Sequence, residues 1–154
     1  MIGTSLGLAR AGDADAIARL SRDFIEYGLD WTWQAPRVLR NIRDPSTNVI
    51  VSREARGLSG FAVMKYGDEE AHLLLLAVHP ARRRRGVGTR LIAWLEETAR
   101  TAGIGVIRLE TRGGNSAARR FYRKLGYREI ARVAGMYDGF EDGVRLAKDL
   151  WSGL

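Results

Sequence analysis

An apolar run cut by a proline and followed by a basic, glycine-bearing turn constrains this chain more than any other feature. The run is AHLLLLAVHP, residues 71–80. Its continuous apolar character predicts a central strand buried on both faces, and Pro80, which has no N–H to give a sheet ladder, limits its continuation. After the turn ARRRRGVG, Val87, Leu91, Leu95 and Ala99 recur at helical spacing with Ile92 on an adjacent row. An amphipathic helix should therefore run to about Ala102 and stop near Gly103. Strand, turn and helix in that order place exposed backbone N–H groups beside Gly86 and Gly88, where phosphate oxygens can approach closely.

The flanking sequence fills in a mixed α/β pattern. Thr4–Ala9 reads as a short strand, and Asp13 or Asp15 in GDAD can cap a helix whose apolar face is Ile17, Leu20, Phe24 and Tyr27. Gly28 ends that pattern. DWTWQAP then connects to a short helix through Val38 and Ile42, with Trp31 and Trp33 covering a core or forming a lid. NVIVSREARGLSGFAVMKYG reads as an antiparallel hairpin turning at Arg56-Gly57. Downstream, VIRLETR is a strand, and GGNSAARRFYRKLGY is a turn and a helix through Leu125 closed by Gly126. The chain ends on a β-prone segment around 127–137, a GFEDG turn and a last strand around 144–150.

Length and charge narrow the function classes. A chain of 154 residues, 45% of them hydrophobic, fits a single domain over 1–154 that buries about two thirds of its unfolded surface. Twenty-two Arg and three Lys against nine Asp and nine Glu give a net charge of +7, and residues 78–128 alone carry 13 basic and 3 acidic side chains. That stretch invites a polyanion, whether a phosphorylated cofactor, a nucleic acid or an anionic membrane. The absence of cysteine excludes disulfides, thiolate metal sites and a cysteine nucleophile. Two histidines, His72 and His79, are too few for a His-rich zinc centre, so no metal is expected. Both read as packing or hydrogen-bonding residues, and Glu69-Glu70 as a surface turn. The first residues lack a signal-like pattern, and no apolar run approaches about 18 residues, which points to a soluble, cytoplasmic protein with no membrane partner.

Two constellations carry chemistry. In VHPARRRRGVGTRL, Arg82, Arg83, Arg84 and Arg85 add positive potential and bidentate donors to the glycine turn. GVGTR lacks the Lys-Ser/Thr ending of a Walker A loop and the full GxGxxG fingerprint, so a phosphorylated cofactor other than ATP or a nicotinamide is favoured. In LETRGGNSAARRFYRKLGY, Glu110 near a strand end can accept a proton directly or through water. Tyr122 inside the next helix can donate one to a leaving sulfur. Asn115 can cap that helix. Each of these residues taken alone also has an ordinary structural reading.

Together the motifs resemble the GNAT superfamily of acyl-CoA-dependent N-acyltransferases, and in particular bacterial ribosomal-protein alanine N-acetyltransferases. The matching residues are Arg83, Gly86, Gly88 and Leu91 in the loop, then Glu110, Asn115, Ala118, Phe121, Tyr122 and Gly126. The resemblance implies a mixed, mostly antiparallel central sheet flanked by helices. It implies that backbone amides from Arg84 through Arg85, Gly86, Val87, Gly88 and Thr89 cradle the pyrophosphate of acetyl-CoA, and that Leu76, Ala77 and Val78 position its pantetheine arm. It further implies that Asn115 arranges the cofactor or helix, Glu110 deprotonates the amine and Tyr122 protonates the departing CoA sulfur.

Direct acetyl transfer to a primary amine follows, foremost a protein or peptide N-terminal α-amine. Trp31, Trp33, Glu110, Met136 and Tyr137 are the implied acceptor contacts. Met136-Tyr137 departs from the paired tyrosines often seen in that branch, which leaves a small-molecule amine as an alternative acceptor. A non-enzymatic acyl-CoA-responsive regulator is the alternative of a different class. RNA binding has only charge behind it, with no RRM aromatic pattern or KH-like GxxG context, so no stable nucleic-acid partner is expected. A monomer or a homodimer fits the chain equally well.

Overall fold

Periodicity and turn residues resolve into β1 (Ser5–Leu8), α1 (Ala14–Phe24), α2 (Ala35–Arg43), β2 (Thr47–Glu54), β3 (Gly57–Tyr66), β4 (Glu70–Val78), α3 (Val87–Thr101), β5 (Val106–Arg112), α4 (Ser116–Lys124), β6 (Arg128–Tyr137) and β7 (Glu141–Asp149). The structure, a computed structural model, describes residues 5–151. Thr4, the first residue of the expected opening strand, lies outside the described residues, as do both ends of the 1–154 span. Strand order is β1-β2-β3-β4-β5-β7-β6. β4 and β5 run parallel, while β1–β2, β2–β3, β5–β7 and β6–β7 are antiparallel. This is the expected mixed, mostly antiparallel sheet with flanking helices.

The backbone divides into two compact units. The first is the chain up to Lys65 together with Leu74–Leu95. Its core forms where Ile17, Ala18 and Leu20 of α1 meet Val38 of α2, Val49 of β2 and Phe61 of β3. Each large aliphatic side chain fully buried there contributes about 1.5–3 kcal/mol relative to exposure, so the apolar face is what holds α1. Asp13 precedes that helix but does not cap it. Its carboxylate instead accepts the Arg10 N–H at 2.8 Å and the Arg53 guanidinium at 2.7 and 2.9 Å. The Arg53 guanidinium offers two parallel charge-assisted bonds where a cap would offer one to a backbone N–H, which draws the carboxylate away from the helix end. Asp15, the other expected cap, is exposed in the first turn.

Gly60 of β3 marks a close approach. A Cβ there would sit 2.9 Å from the Ala77 carbonyl oxygen and 3.1 Å from the Val87 side chain, so glycine is what lets β3 pass the end of β4. β4 itself departs from the expectation of burial on both faces. Ala71, Leu73, Leu75 and Ala77 are buried, whereas His72, Leu74, Leu76 and Val78 are only partly covered. The partly covered face also carries apolar residues, and this masks the alternation in the sequence.

The second unit is Tyr66–Leu73 with the chain from Glu96 onward. Its parallel pair sets His72 opposite Arg108, and the β5–β7 ladder sets Glu110 opposite Arg145. Asn115 caps α4, its side-chain oxygen accepting the Ala118 N–H at 3.1 Å. Gly126, at φ +96°, ends the helix in a conformation that favours glycine. Behind it, Lys148 Nζ lies 3.0 Å from the buried Glu96 carboxylate and donates to the Leu125 carbonyl at 2.8 Å, while the Tyr127 hydroxyl donates to Glu96 at 2.9 Å. Burial, reinforced by the Glu96 charge, holds Tyr127 protonated.

The expected GFEDG turn and last strand need correcting. The turn is Asp138–Phe140, and β7 begins at Glu141 rather than near 144. Glu141 pairs with Tyr137 across the ladder, and Asp142 accepts the Gly135 N–H at 3.0 Å. Asp142 is thus bonded inside the ladder, while the Glu141 carboxylate has Arg112 Nε at 3.7 Å.

Candidate active site

The basic loop of the first unit is built by two left-handed residues. Arg84 has φ +67° and Gly86 φ +76°, which fold the chain tightly ahead of α3. The Arg90 N–H donates to the Gly86 carbonyl at 3.0 Å, so Val87, Gly88 and Thr89 form the first helical turn, whose N–H groups have no acceptor within the helix. A helix start of this kind favours an anion.

The four arginines divide by role. Arg82 is taken: its Nε lies 2.7 and 3.0 Å from the Glu54 carboxylate, which removes it from the phosphate donors suggested by the run of four. Arg83 sits 6.0 Å from the Phe24 ring, and Phe24 meets His79 edge-on at 5.8 Å. Among the described residues, Arg84 and Arg85 have no carboxylate partner, so their charge is available to a ligand. A cavity of about 300 Å³ adjoins the loop, lined by Glu54, Arg56, Leu58, His79 and Arg82. Leu76, Ala77 and Val78 are the last residues of β4, with Ala77 buried.

The aromatic connector also belongs to the first unit, and one residue not singled out in the sequence organises it. The buried Glu26 carboxylate accepts the Thr32 N–H at 2.7 Å, the Thr32 hydroxyl at 2.8 Å, the Ser21 hydroxyl at 2.7 Å and the Trp33 N–H at 3.2 Å. Trp33 is buried in the α1–α2 core with Arg37 stacked 4.0 Å from its ring. Trp31 is half-buried and donates its indole N–H to the Ala18 carbonyl at 3.2 Å. In the sequence Glu26 stands between Asp23 and Asp30 beside an apolar face, a setting shared by many solvated carboxylates.

The second unit assembles the acid–base residues. Glu110 lies on β5, its side chain 17% exposed, with His72 Nε2 2.6 Å from Oε1 and Arg145 Nε 3.3 Å and an Arg108 nitrogen 3.6 Å from Oε2. Burial pushes its carboxyl upward, but the His72 hydrogen bond and charge, with Arg145 and Arg108, outweigh burial and hold it below the usual carboxylate range. Tyr122 is buried on α4, edge-on to Phe121 at 5.1 Å and to Tyr127 at 5.7 Å. Burial, then the neighbouring Tyr137, raises its phenol well above the ordinary value, so it keeps its proton. Tyr137, half-buried on β6 after Met136, is pushed up to about 12 by burial and by the Glu110 charge. Tyr137 is therefore an electrostatic neighbour of both Glu110 and Tyr122. Asn115 serves as the helix cap. Sequence reasoning does not single out His72 or Arg145 as partners of Glu110, because their approach depends on strand register; Arg108, two residues before Glu110 on the same face of β5, is legible from strand alternation but is not singled out.

Comparison with known proteins follows the same lines. The acetyltransferase (GNAT) family matches residues 15–127. The alanine N-acetyltransferase of ribosomal protein bS18 from Salmonella typhimurium is 30% identical over 118 residues, 75% of this chain and 79% of its own length. Among solved structures, Ard1 from Thermoplasma volcanium superposes with a TM-score of 0.85 at 25% identity, covering 95% of this chain and 97% of that one. The ribosomal-protein-S18-alanine N-acetyltransferase from Escherichia coli shares the fold with a TM-score of 0.83 at 22% identity, over 99% of both chains. Since the family match takes in the basic loop, Glu110 and Tyr122 alike, the chain belongs to the GNAT family of acetyltransferases, and within it closely resembles the bacterial ribosomal-protein alanine N-acetyltransferases.

Proposed function

We propose that the chain is one acetyltransferase domain that passes acetyl from acetyl-CoA directly to a primary amine, foremost the α-amine at a protein or peptide N-terminus. The observation that carries this reading is that the second unit holds a carboxylate, Glu110, bonded by His72 and Arg145, and a buried phenol, Tyr122, with Tyr137 an electrostatic neighbour of both; Glu110 is held ionised and Tyr122 protonated. Titratable groups driven apart in this way are suited to base and acid roles.

The loop residues fit the donor's pyrophosphate. The first-turn N–H groups of Val87, Gly88 and Thr89 lack helical acceptors, Gly86 keeps the backbone open to close approach, and Arg83, Arg84 and Arg85 supply charge while Arg82 is occupied by Glu54. Leu76, Ala77 and Val78 flank the pantetheine arm. When bound, acetyl-CoA supplies a thioester, an acyl group already activated toward a neutral amine. Glu110 takes the amine proton directly or through water, and Tyr122 gives its proton to the departing sulfur. Asn115 holds the first turn of α4 and so the helix that carries Tyr122.

Similarity to the bS18 alanine N-acetyltransferase supports a peptide acceptor, and a cytoplasmic setting belongs to the same proposal. Trp31, Met136 and Tyr137 would contribute to acceptor binding, while Trp33, buried in the core, would act only by holding the connector that carries Trp31. Steady-state kinetics on Glu110→Gln and Tyr122→Phe test the roles. Each should lower kcat by about 10²-fold or more, the usual contribution of a positioned acid or base, with little change in KM for acetyl-CoA. Wild-type kcat in either variant removes that residue from the mechanism.

A further inference from the structure

His72 has no part in the transfer described so far, yet it makes the shortest contact of the Glu110 cluster, 2.6 Å from Nε2 to Oε1. The parallel register brings it there. His72 lies opposite Arg108, two residues before Glu110 on the same face of β5, so the imidazole reaches along the strand to the carboxylate. Both side chains are largely covered, at 25% and 17% exposure.

Both strands flanking β5, and β6 beyond β7, present a charged or titratable group toward Glu110. β4 gives His72, β5 itself gives Arg108 at 3.6 Å, β7 gives Arg145 at 3.3 Å, and β6 gives Tyr137 as an electrostatic neighbour. The arginine contacts are long, and Arg108 is drawn aside by Glu70, 2.9 Å from its Nε. Among the described residues His72 makes the one short bond to this carboxylate, and it engages a single oxygen. A base must present its lone pair to the amine in one geometry, and misplacement by about 1 Å can cost about 10²-fold in rate.

We propose that His72 is a positioning residue for the acetyltransferase, clamping Glu110 Oε1 so that the carboxylate meets the acceptor amine in one orientation. The inference rests on the acetyltransferase reading above. His72 acts through Glu110 and does not itself contact the acceptor. With the imidazole removed, the carboxylate turns between its remaining, longer contacts. It also loses a partner that favours its charged form, so it titrates at higher pH.

The test compares His72→Ala, His72→Gln and Glu110→Gln by steady-state kinetics on an unblocked peptide, and follows the Glu110 side-chain carboxyl by carbon NMR across pH in the wild-type and His72 variants. His72→Ala should lower kcat about tenfold with acetyl-CoA KM unchanged, a loss on the scale of a misaligned catalytic group. His72→Gln, whose amide N–H can donate to the same oxygen, should recover most of it. The Glu110 titration midpoint should rise in His72→Ala. Wild-type kcat with an unmoved midpoint overturns the inference, as does an equal loss in both His72 variants that tracks their folded fraction. Glu110→Gln separates the two claims: full activity there sinks the base assignment itself, whereas an inactive Glu110→Gln beside a fully active His72→Ala sinks only the clamp. If no amine is acetylated by the wild type, the acetyltransferase reading fails, and the NMR midpoint alone decides whether His72 holds Glu110.

Discussion

A carboxylate that His72, Arg145 and Arg108 keep ionised is a weak base, and that weakness fixes a pH signature. Glu110 carries its charge well below neutrality, so protonation of the acceptor, not of Glu110, sets the acid side of the rate profile. A peptide α-amine titrates at about 7.7–8.0 and a lysine amine at about 10.4. The sign follows: kcat/KM rises with pH through the amine's own value, and an acceptor with a less basic amine moves the limb to lower pH. Initial rates on peptides of differing amine basicity check this, and a limb fixed near the carboxylate range for every acceptor contradicts it. The placement of Glu110 on a strand and Tyr122 on a helix was legible from LETR and NSAARRFYRKLGY, whereas their proposed base and acid roles came only through the family resemblance. His72 as a partner of Glu110 was not legible. Its value lies in the pairing of His72 with Arg108, and neither spacing nor hydropathy carries the register of two parallel strands separated by a helix. Arg145, 35 residues beyond Glu110, was hidden for the same reason.

At the scale of elements, β4, α3 and α4 could be read because periodicity changes at clear punctuation, Pro80 before one helix and Gly126 after the other. The start of β7 could not, since Glu141 and Asp142 look like turn residues until β6 pairs with Glu141 and its Gly135 N–H engages Asp142. Asp13 shows the same limit at a helix start. Its position is that of a cap, but Arg53 of β2 competes for the carboxylate and wins. That substitution of partner has a measurable consequence. The hydrogen bond from Arg53 outweighs burial and holds the Asp13 carboxyl below its ordinary value. A group depressed on folding stabilises the protein fully above its unfolded value, about 3.9 for Asp, and loses that contribution as pH falls from there through the folded value. Urea midpoints measured across pH should therefore fall less steeply below about pH 4 in Arg53→Met than in the wild type. Parallel acid limbs would show that the pair contributes nothing to acid lability.

Across the whole molecule the charge is concentrated where the donor's phosphates are expected. The stretch 78–128, with 13 basic and 3 acidic residues, contains the loop whose Arg84 and Arg85 lack carboxylate partners among the described residues. CoA affinity measured by calorimetry should weaken as salt rises from about 0.1 M toward 1 M, where screening shortens from about 10 Å to about 3 Å. Arg83→Ala should weaken it further at low salt. Salt-independent affinity, unchanged in Arg83→Ala, would leave the backbone amides as the only phosphate contacts. The central claim concerns the acceptor, and one product analysis reaches it most directly. A peptide carrying both a free N-terminal alanine and an internal lysine is incubated with acetyl-CoA and the protein, and the site of acetylation is located by fragmentation mass spectrometry. Acetyl on the alanine α-nitrogen is the predicted result; acetyl confined to the lysine, or none at all while small amines are acetylated, would contradict it.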